Sequence, residues 1–358
     1  MDDRTQFLKE ITEAFGPPGL EDDVALILRR RTEGFCQIGR DNIGSFIARK
    51  QGSSAEPKVM VAGHMDEVAF MVTDVEPTGF LRMRPLGGWW PHVLLGQRVR
   101  VRTRKGEFLG IIGSKPPHDL KPEERKAVLE FNDLFVDLGV GLGFDVVEAT
   151  GVRRGDFAVP HGPFETLANP NQHVVKAWDN RIGCALAVDL LSELRRVEHP
   201  NTVFGVATVQ EEIGLRGAAT SAEQVMPDIA FAVDVGLSRD TPGYKGMDKS
   251  HEKLGAGASL LLLEGNIVSH PRLARFVQEV AEEEKIPHHL TSIEGGGTDA
   301  NRFQITGRGI PSMAICVPSR YIHSHSSLLD RRDYEAALRL LVAVVRRLDA
   351  RTVARIRG

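Results

Sequence analysis

Downstream of residue 165 the chain alternates between short apolar runs and amphipathic stretches, and that alternation restricts the fold more than any other feature. Strands are expected at 202–209, 229–233, 260–263 and 313–317, and helices at 181–196, 271–284 and 334–348. Strands and helices in alternation pack as layers, so the expected architecture is α/β with a mixed sheet between helices. Its first part lies near the N-terminus. Helical patterns occupy 7–15, stopped at Gly16-Pro17-Pro18, and 21–31. Short strands follow near 35–38 and 45–48, then a buried strand at 58–62.

Between these parts the pattern changes. Short alternating segments such as Phe80-Leu81-Arg82-Met83 are punctuated by Gly87, Gly88, Gly96, Gly106, Gly113, Gly151, Gly155 and Gly162. That spacing suits a small β-barrel or sandwich. The expected division is an α/β domain over 1–71 and 164–358, with a β-domain inserted at 72–163. The basic stretch starting at Arg98 alternates Arg with Val and reads as an amphipathic strand. Residues 115–130 are Pro-rich and charged, and read as a mobile loop leading into a short helix. The run Leu86-Gly87-Gly88-Trp89-Trp90-Pro91 is either an interface patch or core.

Composition excludes several classes. A net charge of −3 gives no footprint for nucleic acid. No apolar run approaches the ~20 residues that span a bilayer. The opening MDDRTQFLKE has no basic and apolar regions of a secretory signal, so a cytoplasmic location is expected. Cys36, Cys184 and Cys316 are an odd, scattered set without CxxC, which points to reduced thiols and against a thiolate zinc site.

The residues able to do chemistry gather near strand ends. In open α/β sheets, sites form outside the carboxyl ends of the strands. The strand at 58–62 runs into Gly63-His64-Met65-Asp66-Glu67. A neutral imidazole binds zinc well, and a carboxylate such as Asp66 can orient it. Asp179 precedes the helix at 181–196, where it is either an N-cap or a carboxylate able to bridge two ions. The strand at 202–209 ends in Gln210-Glu211-Glu212, two acids whose side chains point in different directions. Asp234 ends the strand at 229–233, again as a cap or a ligand. The strand at 313–317 leads on to His323, with His325 competing for the same role. Two histidines and three carboxylates, with a spare glutamate, are the set that two divalent ions require. Oxygen and nitrogen donors suit Zn²⁺, and also Co²⁺ or Mn²⁺.

Six segments occur in a familiar order: Gly63-His64-Met65-Asp66-Glu67-Val68, Trp178-Asp179-Asn180-Arg181, Gln210-Glu211-Glu212-Ile213-Gly214, Asp234-Val235-Gly236, Gly296-Gly297-Thr298-Asp299-Ala300 and Tyr321-Ile322-His323-Ser324. They resemble the motifs of the tetrahedral (TET) and glutamyl aminopeptidases, some of which carry the label cellulase or endoglucanase. The resemblance implies an α/β peptidase with an inserted PDZ-like barrel used for dimerisation, and dimers assembled into a dodecamer. It implies that His64 and Asp234 are terminal ligands of one metal, Glu212 and His323 of the other, and Asp179 the bridge. Glu211 would be the general base in a water attack on peptides, with Asp66 supporting His64. Ala69 stands where the family usually has Gly, and Asn301 where it has a smaller residue. The preferred first residue of the substrate, and any role of Thr298 and Asp299, therefore do not transfer. Other classes are a di-metal hydrolase of N-acyl or amidated small molecules, a metal-free glycosidase and an inactive shell protein.

Overall fold

The computed structural model of the chain describes residues 1–244, 252–265 and 267–358. A mixed sheet of twelve strands runs through the larger part of the molecule. Four parallel strands form its middle, in the order Thr202–Thr208, Lys58–His64, Ile229–Leu237 and Ser312–Arg320. Antiparallel strands extend it on both sides. Phe46–Gln51 and Gln37–Arg40 lie beyond Thr202–Thr208. Ser327–Asp330, Gln172–Val175 and Glu165–Thr166 lie beyond Ser312–Arg320. Ala258–Glu264 also pairs with Ser312–Arg320, and carries His288–Ile293 on its other side.

The parallel strands are buried on both faces, so they read as continuous apolar runs. Successive side chains still point to opposite faces. Val59, Val61, Ile229, Phe231 and Val233 enter one core. Met60, Ala62, Ala230, Ala232 and Ala314 enter the other. The first core is covered by the helix Trp178–Glu193, which packs against all four parallel strands. It comes very close to the sheet: a Cβ at Gly63 would sit 2.4 Å from the backbone carbon of Gly183. That contact brings the head of the helix to the carboxyl edge of the sheet.

Asp3–Glu13, Asp22–Thr32 and Arg331–Arg347 pack on the same helix. Buried Asp189 ties all four together. Its Oδ2 accepts from Arg4 Nε at 3.0 Å and Tyr334 Oη at 2.8 Å, and its Oδ1 lies 3.4 Å from Arg31.

Six antiparallel strands close a separate barrel: Ala69–Val75, Leu81–Leu86, Phe135–Asp137, Gly106–Gly113, Arg98–Thr103 and Phe157–Pro160. It has its own core, including Val72, Leu81, Val99, Val101, Ile112 and Val136. The Arg/Val strand is amphipathic, as its alternation indicates. Val99 and Val101 point inward. Arg100 donates to Glu13 O at 2.7 Å, and Arg102 to Asp23 at 2.5 Å, its guanidinium 3.9 Å above the Phe15 ring. The polar face of this strand therefore docks the barrel onto the first two helices.

Some elements depart from expectation. The 115–130 stretch leads into no α-helix. Single 3₁₀ turns at Pro117–Asp119, Glu124–Lys126 and Phe131–Asp133 replace it. Pro116, Pro117 and Pro122 lack the N–H groups a helix would need. The strand Gln37–Arg40 starts two residues later than expected. The helix expected from 181 begins at Trp178, with Asp179 and Asn180 outside helical geometry. His288–Ile293 is a strand with no counterpart in the sequence reading.

Candidate active site

All of the candidate residues lie at the carboxyl edge of the parallel strands. His64 is the last residue of Lys58–His64. Glu211 and Glu212 follow Thr202–Thr208, Asp234 lies within Ile229–Leu237, and His323 follows Ser312–Arg320. Asp179 arrives from the head of the covering helix. Its φ/ψ of −77°/108° turns it away from the helical path.

Asp179 is the centre of the arrangement. Its Oδ1 lies 3.1 Å from Nε2 of His64, and its Oδ2 lies 3.1 Å from Nε2 of His323. Two groups of donors result, His64–Asp179–Asp234 and Asp179–Glu212–His323, each with its ligand atoms within 4.8 Å of one another. Both histidines are anchored through Nδ1. That of His64 lies 3.0 Å from Asp66 O, and that of His323 lies 2.6 Å from Gly88 O. A carbonyl only accepts, so each Nδ1 carries a proton, and Nε2 is the ring atom turned toward Asp179. Glu211 lies beside the first group, with Oε2 3.7 Å from His64 Nε2. His325 joins neither group. It is buried, its ring 5.8 Å from that of Trp89, and burial pushes its imidazole down to about 4.

The crowding of buried acids suits bound cations. Burial, with neighbouring carboxylates, holds Glu211 and Asp234 well above the usual carboxylate range and pushes Glu212 up to about 8. Burial opposes charge on His323, yet its hydrogen bond to Asp179 and the nearby Glu212 push it up to about 10. Glu212 Oε1 is buried without a hydrogen-bond partner. Buried acids crowded in this way are stable as anions only when paired or coordinated. Hard oxygen donors with two imidazoles therefore fit divalent ions.

The sequence profile of the M42 glutamyl aminopeptidases matches residues 44–340. The chain belongs to that family. It is a peptide-bond hydrolase of the aminopeptidase type, from a family that uses divalent metal ions. It is 34% identical to the glutamyl aminopeptidase of Lactococcus lactis subsp. cremoris over 98% of each chain. A TET aminopeptidase from the marine sediment archaeon Thaumarchaeota archaeon SCGC AB-539-E09 superposes with a TM-score of 0.95, at 41% identity, over 99% of this chain and 100% of that one. The Pyrococcus horikoshii TET1 peptidase, described as assembling into a tetrahedron or a large octahedral shell, gives 0.85 at 31% identity over 97% and 100%.

In this M42 chain several supporting residues escape a reading of the sequence. Asp66 does more than face His64: its carboxylate accepts the backbone N–H groups of Glu211 at 2.9 Å and Glu212 at 3.0 Å. Buried Glu21 accepts Gln210 N–H at 3.1 Å on the other side of the same turn. Gln210 and His323 have φ of 55° and 53°, left-handed conformations that cost side-chain-bearing residues about 1 kcal/mol or more and cluster at functional sites. Asn180 links the helix head to the strand beneath, donating to Val233 O at 2.9 Å and accepting Gly183 N–H at 3.0 Å. Glu67 pairs with buried Lys176 at 2.5 Å and with Arg181 at 3.3 Å. The only sequence signal for most of these is a polar residue inside an apolar stretch, because their partners lie far away along the chain.

The M42 site opens into a cavity of about 600 Å³. Beyond the acids and histidines its walls include Val235, Leu237, Leu261, Ile293 and Ile322. Thr298 and Asn301 also line it. Thr298 donates to Glu264 at 2.9 Å, and Asn301 to Thr298 O at 3.2 Å. Asp299 accepts from Thr208 Oγ1 at 2.6 Å, clamping the strand that leads to Glu211.

Proposed function

We propose that the chain is a two-metal aminopeptidase that removes the first residue of peptides by water attack. The observation that carries this reading is Asp179, whose two oxygens each face one histidine Nε2 at 3.1 Å. In this reading His64 and Asp234 hold one ion, Glu212 and His323 hold the other, and Asp179 is shared. Zn²⁺ is the first choice, with Co²⁺ or Mn²⁺ as alternatives for the same nitrogen and oxygen donors. Bound there, divalent ions would supply Lewis acidity that makes water nucleophilic and stabilises negative charge on the substrate carbonyl.

Glu211 performs the proton transfers. Its carboxylate lines the cavity beside His64 without belonging to either donor group. It takes the proton of the attacking water and passes it to the leaving amine. Asp66 orients it through the backbone. Glu211→Gln keeps the shape and removes the base, so metal content should persist while turnover falls at least ~10²-fold. Near-normal turnover in that variant overturns the assignment.

The apolar walls favour an aliphatic first residue. Among the described lining residues there is no Lys or Arg to pair with an acidic side chain. Burying an unpaired carboxylate is costly. This preference differs from that named for the L. lactis relative.

A homo-oligomer is part of the same reading, with the barrel as the dimerisation element and dimers assembled to a dodecamer. The shells named for the P. horikoshii relative support it, as do Leu109 and Ile111, both more than half exposed on a barrel strand. Light scattering on the purified chain tests it, and a monomer overturns it. A cytoplasmic location rests on three unpaired thiols. No helix of the described residues is long and apolar enough to cross a membrane.

A further inference from the structure

The barrel reaches into the metal-ligand cluster at the donor group that contains Glu212 and His323. The segment Gly87-Gly88-Trp89 follows the barrel strand Leu81–Leu86. Gly88 O accepts the proton of His323 Nδ1 at 2.6 Å. A Cβ at Gly87 would sit 2.7 Å from Glu212 Oε2 and 2.7 Å from Val68 Cγ1. One at Gly88 would sit 3.2 Å from His323 Nδ1. The two residues approached are Glu212 and His323, the members of the second group other than Asp179. The matching carbonyl for His64 comes instead from Asp66, next to the sheet.

This segment is held firmly in the barrel. Trp89 is buried, stacks on Phe70 with ring centroids 4.9 Å apart, and donates from Nε1 to Ala69 O at 3.1 Å. Its own N–H lies 3.2 Å from Gly87 O. The two glycines are therefore a short arm on a fixed anchor. Gly87 adopts φ +89° and passes where a side chain would strike Glu212.

We propose that Gly87-Gly88, anchored by Trp89, is a positioning element for the ion site formed by Asp179, Glu212 and His323. The carbonyl of Gly88 selects the Nδ1–H tautomer of His323, leaving Nε2 as the ligand atom. The backbone of Gly87 is the wall against which Glu212 rests. The barrel is then part of the active site, and seating of the barrel and occupancy of this one ion site are coupled. The inference rests on the two-ion reading above.

The test is ion binding by the full-length chain. Metal-free protein is dialysed against graded Co²⁺ or Zn²⁺, and bound ion is measured by elemental analysis. Gly87→Ala should weaken one ion at least ~10-fold and leave the other near its wild-type affinity, as loss of a group orienting a ligand does. Gly96→Ala is the control. It lies in the same barrel at φ +72°, with nothing within 4 Å of its Cβ position, so it carries the backbone strain alone and should bind both ions normally. Trp89→Phe keeps an aromatic ring but loses the bond to Ala69 O, and should weaken the same ion by less. It serves as the deciding variant if Gly87→Ala does not fold. Two normal affinities in these variants, or an equal loss at both sites, overturn the proposal while the two-ion reading stands. A wild-type chain that binds a single ion overturns both.

Discussion

The carboxylate of Asp66 and the backbone of Glu211 are joined by a hydrogen bond of 2.9 Å, Oδ1 accepting from N–H. Its other oxygen does the same for Glu212 at 3.0 Å. One side chain thereby sets the turn that presents the base and a ligand on opposite sides. Asp66→Asn offers one acceptor oxygen for two donors. It should lower kcat by about 10–100-fold with a smaller effect on KM. Steady-state kinetics at saturating metal checks this, and an unchanged kcat would remove Asp66 from the catalytic apparatus.

Asp179 belongs to both donor groups, whereas Asp234 belongs to one. Asp179→Ala should therefore abolish tight binding of both ions, and Asp234→Ala of one. Stoichiometry by equilibrium dialysis separates these outcomes. Equal losses in the two variants would contradict a shared ligand.

The cavity walls predict a ranking of substrates. Leucyl- and methionyl-anilides should be cleaved with kcat/KM at least ~10-fold above the glutamyl-anilide, a difference of about 1.4 kcal/mol. Chelation should abolish all three activities. A preference for the glutamyl compound would show that a cation reaches the cavity, and cleavage of N-acetyl amino acids alone would move the chain out of aminopeptidase chemistry.

Asp189 collects Arg4, Arg31 and Tyr334 onto the covering helix. Asp189→Asn leaves these donors with a weaker, neutral acceptor. Hydrogen bonds to charged groups contribute roughly 1.5–3 kcal/mol each, and the two arginines are partly exposed. A net loss of about 2–3 kcal/mol is expected. Urea unfolding at fixed protein concentration measures it, and an unchanged midpoint would show that the cluster contributes little.

Asp333 supplies a pH dependence remote from the ligands. Burial pushes its carboxyl up to about 7, although the N–H groups of Gly255 and Gly257 favour the anion. In the unfolded chain it ionises near 3.9. The folded state therefore holds this proton more tightly. The stabilisation is complete below the unfolded value and is lost as pH rises through about 7. Asp333→Asn does not titrate. The Tm of wild type relative to the variant should therefore rise as pH falls from about 8 to 5. A constant difference across that range would contradict the shift.

Much of this architecture is legible in the sequence for a simple reason. Strands buried on both faces are apolar throughout, so Val59 to Ala62 or Ile229 to Val233 stand out without knowledge of their neighbours. A polar residue at the end of such a run is conspicuous, which is how His64 and Asp234 become visible. His288–Ile293 is hidden because its buried positions are the polar His289 and Thr291, while Leu290 is exposed. The contribution of Gly88 is hidden more deeply. A backbone carbonyl leaves no trace in residue type, and its partner His323 lies 235 positions away. Asp66 is legible as a companion of His64. Its carboxylate contacts to 211 and 212 are not, because they depend on how two strands sit side by side.

The helix Trp178–Glu193 carries Asp179 at its head and Asp189 ten residues later, roughly 15 Å along its axis. One element thus has its head among the ligands and its body held by Arg4. Loss of the Arg4 side chain is consequently expected to be felt among the ligands. A loosened helix would let the shared carboxylate drift from its two histidines, with every residue of the site still present.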